Sequence, residues 1–164
     1  MIRVAVLTIS DSSAAGTRED RSGPAVQARV QELGWSLTKT GVLPDHVEAI
    51  AEALKGLSEG AADVILTTGG TGVAARDVTP EAVRMVAEKE IPGFGEVMRR
   101  EGLKSTKLAP ISRSEAVTRG STLIVTLPGS PRGAIESLNA IAELIPHVVD
   151  LLHGRTEHGS KLSS

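Results

Sequence analysis

The residues best suited to chemistry in this chain follow a short apolar run. Asp63-Val64-Ile65-Leu66-Thr67 ends abruptly in Thr68-Gly69-Gly70-Thr71-Gly72, and Arg76-Asp77-Val78-Thr79-Pro80 comes next. Three glycines among threonines leave main-chain N–H groups uncovered, and bare backbone of this kind cradles phosphate. Asp77 stands between the loop and a helix-start signal. Hard cations such as Mg²⁺ take carboxylate and substrate phosphate oxygens together, so Asp77 is a candidate metal ligand beside a bound phosphate. Its structural alternatives are a helix-dipole contact or an ion pair with Arg76. No Gly-Lys-Ser/Thr follows the glycines, which excludes a Walker A loop. Gly70-x-Gly72-x-x-Ala75 satisfies the loose dinucleotide fingerprint, yet the strongest helix start waits until Thr79-Pro80 instead of opening inside the loop.

Other residues with chemical potential sit at similar breaks. Asp45 follows Leu43-Pro44 and is both a cap candidate, with Glu48 in a capping-box spacing, and a second candidate metal ligand. Ser10 and Asp11 open a small polar loop that Asp20 closes, and each carboxylate there is also an ordinary turn or cap residue. Ser112 and Arg113 offer a hydroxyl and a guanidinium to an anion. Gly129-Ser130-Pro131 reads as an N-cap and first helical residue, and a helix N-terminus of that kind also accepts an anionic ligand. His46, His147, His153 and His158 have no metal or triad spacing and read as surface residues.

These positions lie between alternating apolar segments. Ile2 to Ile9, Trp35 to Leu43, Val64 to Leu66 and Thr122 to Leu127 read as strands, the first as a run buried on both faces and the third as a buried strand. Helices are expected after Asp20-Arg21-Ser22-Gly23-Pro24, from Asp45 to Gly60, from Thr79 through Ala87, and around Val97 and Met98. A long helix after Ser130 carries Ile135, Leu138, Ile141, Ile145, Val148 and Leu152, with a kink expected at Pro146. Residues 102 to 114 resist assignment, and Ser112 with Glu115 suggests a short capped helix. The expected fold is α/β, a mostly parallel, doubly wound sheet with helices on both faces, over residues 1–152 as one domain. Residues 153–164 form a polar C-terminal tail. Loops after Ile9, Leu66 and Leu127 should then share the rim at the carboxyl ends of the strands, where such sheets bind ligands.

Composition removes several function classes. The 164 residues carry a net charge of −2, so no global basic field calls for nucleic acid. Trp35 and Phe94 are the only aromatic residues, too few for a base-stacking platform. The absence of cysteine excludes disulfides, thiolate metal sites and cysteine nucleophiles, and suits the cytoplasm. No apolar run reaches membrane-spanning length.

Taken in order, the motifs resemble the molybdopterin adenylyltransferase family, the molybdenum cofactor biosynthesis protein B type, over nearly the whole chain. The resemblance rests on Ser10-Asp11 through Gly16 to Asp20-x-Ser22-Gly23, and on Thr68 to Gly72 with Arg76-Asp77-Val78-Thr79-Pro80-Glu81-Ala82. Ile91-Pro92-Gly93-Phe94, Ser112-Arg113 and Leu127 to Pro131 complete it. It implies a molybdopterin-binding-domain-like fold and transfer of AMP from ATP, with Mg²⁺, to the terminal phosphate of molybdopterin, releasing pyrophosphate. By the same resemblance, Asp77 and Asp45 are the catalytic and metal-binding carboxylates. Thr68, Gly69, Gly70, Thr71 and Gly72 would hold the nucleotide, and Ser10, Asp11, Ser112, Arg113, Gly129 and Ser130 would contact pterin or phosphate. A homo-oligomer, trimer or hexamer, is implied, with a later cofactor-insertion enzyme as a possible partner. Two other activities fit the same residues: a non-catalytic carrier or regulator that binds the pterin cofactor, and a nucleotide pyrophosphatase of related fold.

Overall fold

The computed structural model describes residues 1–156. Its centre is a six-stranded sheet in the order β2-β1-β3-β6-β5-β4. The strands are β1 (Arg3–Ile9), β2 (Ser36–Leu43), β3 (Val64–Thr68), β4 (Lys89–Glu90), β5 (Ala116–Arg119) and β6 (Thr122–Leu127). The first four positions in that order run parallel, while β5 is antiparallel to β6 and β4 to β5. β3 and β6 are buried along their whole length, as near-continuous apolar runs under two helical layers must be. β2, at the edge, has no buried residue and carries Lys39, a charge that discourages pairing with another chain.

Helices α2 (Ser22–Glu32), α5 (Pro92–Gly102), α6 (Pro131–Ile141) and α7 (Leu144–Leu152) cover one face. Helices α3 (Val47–Leu57) and α4 (Thr79–Val86) cover the other. In α3, Ile50, Ala51 and Leu54 recur at helical spacing and are buried against Ile65 and Ile124 of the sheet. Each fully buried leucine or isoleucine there contributes about 1.5–3 kcal/mol, which is why the short helix holds its place. No helix among the described residues is long and apolar enough to cross a membrane.

The mostly parallel, doubly wound expectation holds, with several local corrections. The sequence reading missed β4 and β5, so the sheet has an antiparallel border. Residues 112–115 form no helix: Ser112 ends a 3₁₀ turn (Ala109–Ile111), and the Glu115 N–H already donates to Thr126 Oγ1 at 2.9 Å as the chain enters β5. The helix expected around Val97 and Met98 begins earlier, at Pro92, which sits in the first turn where its missing N–H costs nothing. Asp45 does not cap α3; His46 does, accepting the Ala49 N–H at Nδ1. The long C-terminal helix is two helices interrupted at Ala142 and Glu143. Pro146 supplies no N–H for the carbonyl of Ala142, four residues back, so the interruption falls where that hydrogen bond is lost. His46, His147 and His153 are exposed as expected, and His153 Nε2 also lies 3.3 Å from Asp63 Oδ1. His158 lies outside the described residues.

Candidate functional site

The chain passes from β1 to β2 on one side and then returns to place β3 on the other side of β1. That reversal opens a crevice at the carboxyl ends of β1 and β3, the place where open α/β sheets take ligands. The first loop, after β1, forms a short helix, α1 (Asp11–Ala14), capped by Ser10 through its Oγ to the Ser13 N–H at 3.2 Å. Asp11 and Asp45 clasp each other's backbone: the Asp11 N–H donates to Asp45 Oδ2 at 3.0 Å, and the Asp45 N–H donates to Asp11 Oδ1 at 2.8 Å. The reciprocal bonds bring the first two loops together and leave Asp45 Oδ1 directed at the glycine loop.

Gly69 and Gly70 are glycine for two reasons. Their φ angles of +105° and +68° lie in the left-handed region. A Cβ on Gly69 would also stand 2.3 Å from the Ile9 carbonyl oxygen, and one on Gly70 would stand 2.3 Å from Thr79 Oγ1 and 3.2 Å from Asp45 Oδ1. Thr68 Oγ1 donates to the Pro128 carbonyl at 2.6 Å, and the Gly69 N–H donates to the Leu127 carbonyl at 3.0 Å, which ties the loop to the end of β6. A Cβ on Gly129 would stand 3.3 Å from the Cα of Gly69 at the same place. Thr79, at the helix start expected from sequence, donates from Oγ1 to the Gly69 carbonyl at 3.0 Å and from its N–H to the Gly70 carbonyl at 3.1 Å. Both glycine carbonyls are thereby turned toward the start of α4.

Asp77 closes the loop, accepting the Ala74 N–H at Oδ2 at 3.0 Å. Among the described residues it makes no ion pair with Arg76. Burial pushes the Asp45 carboxyl above the usual aspartate range. The Asp11 N–H opposes that rise, the negative charges of Asp11 and Asp77 reinforce it, and Arg76 offsets part of it. Carboxylates facing one another without a paired cation form a place where a divalent ion relieves repulsion. No group of three or more metal-ligating side chains is assembled among the described residues. Two carboxylates beside a phosphate cradle suit Mg²⁺, which binds through one or two carboxylates plus water and substrate phosphates.

Ser112 and Ser130 stand apart from this cluster. They line a cavity of about 250 Å³ between α5 and α6, with Met98, Gly102 and Pro128. Ser130 caps α6 by accepting the Gly133 N–H at 3.0 Å, and Ser112 Oγ lies 3.1 Å from Ser114 Oγ. Arg113 turns the other way. Its N–H donates to the Thr71 carbonyl at 2.7 Å, and its guanidinium is engaged by Gly72, Asp77 and Glu81. A larger cavity, about 680 Å³ between Val97, Arg100, Lys104, Glu136 and Asn139, includes none of the candidate site residues. The sequence reading missed Glu81 as a partner of Arg113 and Arg99 as a support for Ser112 and Ser114. Neither contact has a local spacing that would reveal it.

Comparison with known proteins agrees with this architecture. Residues 5–147 match the family model described as a probable molybdopterin binding domain. The chain is 41% identical over 156 residues to the molybdopterin adenylyltransferase of Helicobacter pylori J99, covering 93% of this chain and 89% of that protein. It is 38% identical over 159 residues to the Escherichia coli K12 protein of the same name, covering 93% and 79%. The crystal structure of the molybdopterin biosynthesis enzyme MoaB of Thermus thermophilus superposes with a TM-score of 0.88 at 41% identity, covering 94% of this chain and 98% of that one.

Proposed function

The chain belongs to the molybdopterin adenylyltransferase family, and from that premise we propose that it adenylylates molybdopterin with ATP in molybdenum cofactor biosynthesis. The observation that carries the reading is the apposition of Asp45 to Gly70 and of Asp77 to Gly72 at one crevice, with Asp11 clasping Asp45.

The reaction joins an oxygen of the terminal phosphate of molybdopterin to the α-phosphorus of ATP, breaks the bond to the bridging oxygen, and releases pyrophosphate. The attacking phosphate oxygen is already anionic near neutral pH, so no general base is required, and none of the described histidines lies among the site contacts. The demands are in-line positioning and relief of repulsion between phosphates. Thr68 to Gly72 supply backbone that approaches the nucleotide without side-chain obstruction, and Thr79 fixes the peptide orientations by holding the Gly69 and Gly70 carbonyls. Asp45 and Asp77 would hold Mg²⁺, which when bound neutralises phosphate charge and polarises the reacting phosphoryl group. Ser10 and Asp11 hold the first loop against the second. Ser112 and Ser130, which line the cavity beside the rim, and Gly129 next to Ser130 are the residues assigned to the pterin or its phosphate. The oligomer implied by the family resemblance, a trimer or hexamer, is part of the proposal, as is a cytoplasmic location.

Incubation of the protein with molybdopterin, ATP and Mg²⁺, followed by mass analysis of the pterin, tests this directly. The expected product is molybdopterin carrying one adenylyl group, with one equivalent of pyrophosphate. Retained pterin binding with no pyrophosphate release would overturn the assignment in favour of a carrier or regulator. Hydrolysis of a dinucleotide without pterin would favour a pyrophosphatase.

A further inference from the structure

Two arginines of the rim differ in how their guanidinium groups are used. Arg76 is exposed and pairs with no carboxylate among the described residues. Arg113 is fully engaged. Its Nε donates to the Gly72 carbonyl at 2.9 Å, its Nη2 to the Asp77 carbonyl at 2.8 Å, and both terminal nitrogens to the Glu81 carboxylate, Nη2 at 3.3 Å to Oε2. With the bond from its own N–H to the Thr71 carbonyl, one residue ties down both ends of the loop from Thr71 to Asp77. Arg99 of α5 steadies Arg113 in turn, donating from Nη1 to the Ser112 carbonyl at 3.3 Å and the Ser114 carbonyl at 2.9 Å.

The loop needs such ties. Val73 to Arg76 are exposed and belong to no helix or strand, and Asp77 is otherwise anchored locally to Ala74, through N–H to carbonyl at 2.9 Å and the Oδ2 contact at 3.0 Å. We propose that Arg113 and Glu81 form a clasp that positions the Asp77 carboxylate, and that Arg113 is a positioning residue and not a ligand of pterin or phosphate. The inference rests on the adenylyl-transfer reading for the role of Asp77, while the clasp itself rests on contacts within the chain. A guanidinium suits the task because its planar fork meets two carbonyls and a carboxylate in fixed directions, which an ammonium on a flexible stem does not. The side chains are 32% and 44% exposed, and pairs so exposed add little to global stability. Ordering of the loop is therefore the main consequence of the pair.

Arg113→Ala, Arg113→Lys, Glu81→Ala and the Arg113→Ala/Glu81→Ala double variant test the clasp, with far-UV circular dichroism confirming a folded chain. In the adenylyl-transfer assay each single variant should lower kcat by about tenfold or more, with KM for ATP and for molybdopterin changed by less than about threefold. The double variant should lie within about threefold of the worse single variant, because both residues act through one contact. Amide hydrogen exchange at Ala74 and Asp77 should accelerate in every variant, with or without substrates. A raised KM in Arg113→Ala together with unimpaired Glu81→Ala, which frees the guanidinium, would overturn the clasp and restore Arg113 as a ligand. Unchanged exchange at Ala74 and Asp77 would overturn it regardless of turnover. If the unmodified chain transfers no adenylyl group, the functional reading fails while exchange still decides the clasp.

Discussion

Asp45 and Asp63 are the same residue type at opposite ends of one parallel sheet, in opposite surroundings. Asp63 precedes β3, at the amino ends of the strands. Arg3 grips it through Nη2 to Oδ1 at 2.8 Å, Nε to Oδ2 at 3.3 Å and the backbone N–H to Oδ2 at 2.8 Å, and His153 Nε2 lies 3.3 Å from Oδ1. Burial alone would raise its pKa, but the Arg3 hydrogen bonds and charge, with His153, outweigh burial and hold it below the usual aspartate range. Asp45 follows β2, at the carboxyl ends, and has two acidic neighbours and a raised pKa. One end of the sheet satisfies its carboxylate and the other leaves its carboxylates short of positive charge. In a fold whose ligands bind at the carboxyl ends, the unsatisfied end is the one proposed here as the site.

Removal of the Asp77 charge at the carboxyl end should produce the largest effect, and on catalysis. Asp77→Asn retains the acceptor for the Ala74 N–H but removes the charge proposed to hold Mg²⁺. Adenylyl transfer should fall by about 10²–10³-fold, the range seen when one preorganised electrostatic contact is lost, with an unchanged far-UV spectrum. Near-normal turnover would break the comparison, since Asp77 would then be as dispensable to chemistry as a structural acid.

At the amino end the expectation reverses. Asp63→Ala leaves the Arg3 guanidinium without its partner and should cost about 1–3 kcal/mol, a fall of several degrees in Tm, with kcat unchanged. The pH dependence follows from the direction of the shift. Because the folded-state pKa of Asp63 is depressed, its stabilising contribution is complete above the ordinary aspartate value of about 3.9. It shrinks as pH falls from there through the lower folded value, and is gone beneath it. The Tm gap between the unmodified chain and Asp63→Asn should therefore be constant near neutrality and close only on strong acidification. A gap that persists through strong acidification would show that the stabilisation does not come from the ionised Asp63 carboxylate held by Arg3.

The same contrast explains which features were legible in the sequence. The glycine loop, Asp77 and the start of α6 at Ser130-Pro131 are readable because their chemistry is encoded in adjacent residues. Asp63 was read only as the start of a strand run, and His153 only as surface, because their contacts with each other and with Arg3 join residues 60 or more positions apart. Arg113 was legible as a cation but not as a clasp, because Glu81 lies 32 residues away. β5 left a usable signal: Gly120-Ser121 between Arg119 and Thr122 is a two-residue hairpin connection, and Gly120 has the positive φ such a turn requires. The capping reading of Asp45 failed because His46 occupies the cap and the Asp45 carboxylate is recruited by Asp11. Local propensity lost to a contact between two loops.

The smallest effect provides the finest test of the contrast. Asp45→Asn keeps an oxygen for the Asp11 N–H and removes one of three charges. Because the folded-state pKa of Asp45 is raised, its ionised form is a liability to the folded protein at neutral pH. That penalty is complete above the raised value, eases as pH falls toward the ordinary aspartate value, and vanishes beneath it. Asp45→Asn should therefore raise Tm near neutrality. Asp45 is only partly buried, so solvent screening limits the rise to about 1–2 °C, and the gain should disappear in acid. Added Mg²⁺ should narrow the gap, because it stabilises the native chain through the carboxylates that the variant lacks. The substitution should impair adenylyl transfer even as it stabilises the fold, the trade expected where a site holds charges together for a ligand instead of for folding. A lower Tm at neutral pH would mean that Asp45, like Asp63, is held by its neighbours, and the two ends of the sheet would no longer differ in kind.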